Sequence, residues 1–131
     1  MSLSSLARAS WVHVLFAFLA MGGWAAFANR GHPPAEALRA GLVQGLLSAG
    51  LTLGIKRGLE ALHQRMRAPA AVLAPPVISC ACVLALLVIA HRLAGTPEIW
   101  VTIAVPFSVS SAYAFIYTAG LELRARRARA A

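Results

Sequence analysis

The chain has 131 residues, 60% of them hydrophobic and only 12% charged, with a formal net charge of +8 and a mean hydropathy of +0.73. A water-soluble domain of this size carries about 25% charged residues to cover its surface, so lipid is the expected solvent. The cations are bunched at a few places, and no soluble module remains to read nucleic acid, which excludes that class of partner.

The first apolar run is "WVHVLFAFLAMGGWAAFA" (11–28), close to the roughly 20 residues a helix needs to cross a bilayer. Arg8, the apolar stretch and the "AFA" of Ala26–Ala28 also resemble a secretory signal peptide with its cleavage site. The length of the run and the tryptophans near its two ends, Trp11 and Trp24, favour a retained helix with both rings at the headgroup layers. His13 near its inner end reads as a boundary or packing histidine.

A tight connection, "NRGHPP", follows, and Pro33 and Pro34 suit the first turn of helix 2, where a missing N–H costs nothing. Helix 2 is predicted over about 35–66, apolar to Ile55 and then basic and amphipathic in "KRGLEALHQRMR". That second part reads as an extension past the membrane that adheres to anionic phospholipid. Small residues mark two faces of this helix: Gly41 and Gly45 with Gln44, Ser48 and Thr52 on one side, and the row Gly50, Gly54, Gly58 on the other. Small residues let helix backbones approach closely in lipid. All five glycines are therefore expected at helix contacts: either helix 2 is the central helix of the bundle, packed on both sides, or one face meets a second copy or a larger membrane complex.

"RAPAA" (67–71) breaks the pattern before helix 3, predicted over about 70–91. Its Pro75–Pro76 pair, like Pro106 in helix 4, removes backbone hydrogen bonds, and the freed carbonyls should face protein. Cys80 and Cys82 point about 200° apart on a helix and cannot converge on a metal or on each other; no cofactor and no metal are expected. "HRLAGTPE" then turns into helix 4, predicted over about 98–122. Helix 4 carries a polar stripe of Ser108, Ser111, Thr118 and Glu122, read as packing, before a basic tail (123–131) expected to fray along phospholipid.

Nine of the 12 Lys and Arg then fall on one side of the four spans: Arg8, Lys56, Arg57, Arg65, Arg67, Arg124, Arg126, Arg127 and Arg129. This is the positive-inside pattern and places both termini in the cytoplasm. The expected fold is an all-α membrane protein, one domain of four transmembrane helices in a compact antiparallel bundle, in the bacterial inner membrane.

Chemistry is sparser. All four acidic residues, Glu36, Glu60, Glu98 and Glu122, fall at or beyond the membrane boundaries, whereas proton-driven carriers usually place an ionisable group deep inside. The glutamate in the first helix of the small multidrug transporters is missing, as are fluoride-channel signatures, and no catalytic constellation is visible, so an enzyme is not expected. The remaining candidate is a polar cluster at the outer ends of the two hairpins: Arg30, His32, Arg39 and Gln44 from the first, His91 and Arg92 from the second. With the positive end of the helix 2 dipole beside it, this cluster would suit an anionic head group, gripped above all by Arg39. Two functions are carried forward: a small transporter or flippase-type protein for an anionic lipid or polyprenyl-phosphate carrier, and an accessory subunit of a larger complex. Expected partners are membrane lipids and a second copy or larger assembly met through helix 2.

Overall fold

The computed structural model describes residues 3–67 and 69–130, with 3–10 described as backbone alone. Four α-helices account for nearly all of it: α1 (Leu3–Ala28), α2 (Pro34–Arg65), α3 (Ala70–Leu93) and α4 (Ile99–Ala130). All four are long and apolar enough to cross a membrane, and no strand occurs among the described residues. At about 1.5 Å per residue, the 32 residues of α2 and of α4 each reach about 48 Å, well beyond the roughly 30 Å of a hydrocarbon core.

The helix ends follow local chemistry. Pro33 caps α2 in an extended conformation and Pro34 opens it. The connection before it is closed by backbone bonds from Asn29 to Ala25 and from His32 to Asn29. Helix α3 ends on Gly95, whose φ of 65° is left-handed and open to glycine at little cost. Gly95 N–H bonds to Arg92 O and Thr96 N–H to His91 O, the Schellman arrangement that satisfies the last helical carbonyls. We call this end of the molecule, with residues 29–33 and 94–98, the tight-turn end, and the opposite one the basic end.

Two boundaries differ from expectation. Helix α1 begins at Leu3, so most of the short lead is helical. Helix α4 runs on through Ala130 where a frayed tail was expected. Residues 123–130 are Leu, Ala and Arg, all strong helix formers, and Glu122 pairs with Arg126 one turn on.

Glycine sets the closest helix contact. A Cβ placed on Gly22 would lie 2.8 Å from Gly41 O, and one on Gly41 would lie 2.9 Å from Gly22 O. At Gly45 it would meet the Phe18 ring at 2.9 Å. Helix α1 thus lies backbone to backbone on one of the two small-residue faces of α2. The other face, Gly50, Gly54 and Gly58, meets nothing within 4 Å and lies exposed in the single chain.

An apolar core of Val83, Leu87 and Ile103, flanked by Leu47, Leu51, Ile55 and Phe107, joins α2, α3 and α4. Pro75, Pro76 and Pro106 are all buried, in keeping with the need to cover in lipid the carbonyls four residues back that they leave unbonded. Large side chains such as Phe16, Leu46, Leu93 and Ile116 are mostly exposed, the distribution of a surface that faces acyl chains rather than water. Cys80 and Cys82 are free thiols.

Candidate functional site

Along α2, polar residues recur at every fourth position: Gln44, Ser48, Thr52, Lys56 and Glu60. Residues four apart on a helix are neighbours and the row drifts about 40° per step, so these five form an inclined polar ridge that rises about 24 Å along α2. From Ser48 onward the ridge lines a cavity of about 770 Å³ between α1, α2 and α4. Its apolar walls include Val14, Ala17 and Met21 from α1 and Val109 from α4. His13, Lys56, Arg57, Glu60 and Tyr113 line its part towards the basic end, and Ser48, Thr52 and Ser110 its interior. The volume is of the size that takes a small ligand or a lipid head group.

The hydroxyls of the interior are not equivalent. Thr52 donates to the Ser48 carbonyl at 2.8 Å and Ser110 to the Pro106 carbonyl at 2.9 Å, so each spends its proton on its own helix. Ser48 Oγ instead accepts from Gln44 Nε2 at 2.9 Å, which leaves its proton for an acceptor in the cavity. Towards the basic end, Glu60 accepts from the Tyr117 hydroxyl at 2.5 Å and lies 4.0 Å from Lys56 Nζ. Tyr117 stacks on Tyr113 at 5.3 Å between centroids. One carboxylate thus faces two cations, Lys56 and Arg57, beside His13, and the local field favours an anion.

At the tight-turn end a second polar network ties the two hairpins together. Asn29, fully buried, donates through Nδ2 to Ala25 O at 2.8 Å and to Thr102 Oγ1 at 2.7 Å. Its Oδ1 accepts from the Glu98 N–H at 3.0 Å, satisfying an otherwise unpaired amide before α4. Trp24 Nε1 donates to Val101 O. His91, also fully buried, places Nε2 2.9 Å from Gln44 Oε1 and Nδ1 2.8 Å from Thr96 Oγ1.

The expected outer cluster is therefore divided. Gln44 and His91 are brought into direct contact inside the protein. Arg39 reaches across to the 94–98 turn, donating from Nη2 to Gly95 O at 3.2 Å. His32 pairs with Glu98 at 3.0 Å, and Arg30 folds back on its own helix, bonding Phe27 O with its guanidinium 3.9 Å above the Phe27 ring. Arg92 is exposed. These six residues do not converge on one point.

The polar stripe of α4 is divided too. Ser108 bonds to Ala104 O on its own helix, while the buried hydroxyls of Ser111 and Thr118 meet no hydrogen-bond partner among the described residues. Glu122 is buried and accepts from Arg126 Nε at 2.9 Å and Arg129 Nη2 at 3.1 Å, with His63 Nε2 of α2 at 3.3 Å. This joins the extensions of α2 and α4 beyond the apolar core. Among the described residues, no group of three or more His, Cys, Asp or Glu is placed to hold a metal ion.

No family model, curated protein or solved structure matches the chain.

Sequence reasoning missed Asn29, Thr96 and Thr102, and it missed the cavity. Asn29 carried a signal, a polar residue closing an otherwise apolar run, and so did the four-residue polar repeat from Gln44 to Glu60. No sequence signal marks the void itself, because three helices must pack before it exists.

Proposed function

We propose that this chain is a multi-pass protein of the bacterial inner membrane that binds an anionic amphiphile, a lipid or polyprenyl-phosphate-type carrier, and assists its passage between leaflets. Its four helices form a compact antiparallel bundle with both termini cytoplasmic; the positive-inside count supports this orientation. The observation that carries the function is the cavity, which combines Lys56 and Arg57, hydroxyls at Ser48, Thr52 and Ser110, and an apolar wall on α1. The charged head lies along the polar ridge, and the chains leave over Val14, Ala17 and Met21 into lipid. This seat is favoured over one at Arg39, whose guanidinium already holds the Gly95 carbonyl, and over Arg30, which is engaged by Phe27.

A second reading, an accessory subunit or homo-oligomer assembled through α2, has one observation behind it. The Gly50, Gly54 and Gly58 row lies open in the single chain, and such rows permit close helix approach in lipid.

Native mass spectrometry of lipid co-purified with the protein tests both. Near an anionic head, each cation contributes about 1 kcal/mol, so the double variant Lys56→Gln, Arg57→Gln should bind anionic lipid about thirtyfold more weakly. Arg39→Gln should retain it as the wild type does. Equal retention in all three would remove the cavity reading and leave the accessory reading in front; loss confined to Arg39→Gln would move the seat to the tight-turn end.

A further inference from the structure

We infer that His91 is a proton-binding site linked to the cavity, so that a proton on His91 and an anion beside Ser48 favour one another. The inference rests on the cavity reading above and adds a coupled ligand, the proton, to it.

The geometry fixes who donates to whom. Gln44 offers its carbonyl oxygen to His91 and its amide nitrogen to Ser48. His91 must then donate from Nε2, and its Nδ1 accepts from the Thr96 hydroxyl. Every bond in the series points the same way: Thr96 to His91, His91 to Gln44, Gln44 to Ser48, and Ser48, with its proton uncommitted, to the cavity. Buried hydrogen bonds in series polarise each other. An anion that accepts from Ser48 pushes electron density back along the series and makes the imidazole a better proton acceptor. A proton on Nδ1 has the reverse effect. Thr96 turns its lone pair to the new N–H, and the imidazolium strengthens each donor on the way to Ser48.

His91 is suited to this role by its place: the ring is fully buried and bridges Thr96 of the 94–98 turn and Gln44 at the head of the ridge. Burial disfavours a charged ring, so an anion at the far end of the series is what offsets the cost of the imidazolium. The charged and titratable groups around it are already committed or lie at the surface. From α2, Arg39 holds Gly95 O and Glu36 is half-buried in the first turn. From α3, Arg92 is exposed. At the start of α4, Glu98 is paired with His32 from the other turn. At the cavity itself stand His13, Lys56, Arg57 and Glu60. His13 is the second imidazole beside the proposed anion and serves as the control for any pH effect.

Linkage makes the coupling reciprocal, and allosteric couplings usually amount to about 5–150-fold in affinity. The test is titration of the purified full chain, in neutral detergent, with short-chain phosphatidylglycerol, whose phosphodiester keeps its charge throughout. Wild-type affinity should rise at least about fivefold from about pH 8 to about pH 5. His91→Gln should bind with that slope abolished. Ser48→Ala cuts the chain at the cavity end without touching His91, and should also lose the slope, which decides the matter should His91→Gln fail to fold. His13→Gln should bind more weakly but keep the slope. A slope that persists in His91→Gln, or that vanishes only in His13→Gln, overturns the inference while leaving the cavity reading intact. So does pH-independent binding by the wild type. No binding at any pH overturns the cavity reading, and the inference falls with it.

Discussion

Replacing Gly41 with Ala probes the closest contact in the molecule. The new methyl would stand 2.9 Å from Gly22 O and 3.2 Å from Ala26 Cβ. Its nearest obstacle is a backbone oxygen, which cannot rotate away as a side chain can, so α1 and α2 must separate by about 0.5 Å to restore ordinary contact. A gap of that size forfeits about a quarter or more of each dispersion contact it opens, and it opens them along the most extensive helix pair of the fold. Overpacking of this kind typically costs about 1–3 kcal/mol. Gly→Ala also returns up to about 1 kcal/mol of helix propensity, which blurs the result for one variant alone. Gly54→Ala removes the ambiguity: it gains the same propensity in the same helix and meets nothing within 4 Å. The stability difference between the two variants isolates the steric term, and Gly41→Ala should be the less stable by about 1–3 kcal/mol. Reversible unfolding in mixed micelles measures it. Equal stability would refute the backbone-to-backbone contact between α1 and α2.

Reporter fusions after Arg67 and after Ala130 should both read cytoplasmic, and fusions at Gly31 and Gly95 should read periplasmic; a periplasmic C-terminus would overturn the orientation. Glu122→Gln weakens the bonds from Arg126, Arg129 and His63 to one buried carboxylate. It should cost about 1–3 kcal/mol in thermal unfolding, and an unchanged Tm would mean that the link between the α2 and α4 extensions contributes nothing. If the open glycine row carries assembly, Gly54→Leu should reduce the mass of the native particle while the unfolding midpoint stays near that of the wild type. An unchanged mass would leave the row facing lipid.

Helices and their ends were largely legible in the sequence, because Pro34, Gly95 and the apolar runs act locally. Contacts were legible only in part. Gly41 with Gly45, and Gly50 with Gly54 and Gly58, look alike as patterns, since small residues permit approach without naming a partner. Only the first set is met by another helix of the chain. By sequence His91 reads as part of the surface at the hairpin end, because it precedes Arg92 and a turn. It does lie in the last turn of α3, but its ring is buried against Gln44, 47 positions away. Arg39 was correctly placed on the helix, but its neighbour, the Gly95 carbonyl, belongs to the other hairpin. The continuation of α4 was legible in principle: Leu, Ala and Arg after Glu122 favour helix, and attention to their charge obscured it.

The polar bonds between the first pair of helices and the second are confined to two latitudes. Asn29 to Thr102 and Glu98, Trp24 to Val101, Arg39 to Gly95 and Gln44 to His91 lie at or near one end, while Glu60 to Tyr117 and His63 to Glu122 lie towards the other. Between them the described halves pack through apolar side chains such as Leu51 and Val83. In the covalent connection, Met66, Arg67 and Pro69 take part in backbone bonds to near chain neighbours. On this reading each hairpin carries the groups that recognise the other, and the peptide link between them should be dispensable to pairing. Two separately translated fragments, cut within that connection, should find each other in the bilayer and co-purify, with the register set at the rims rather than in the middle.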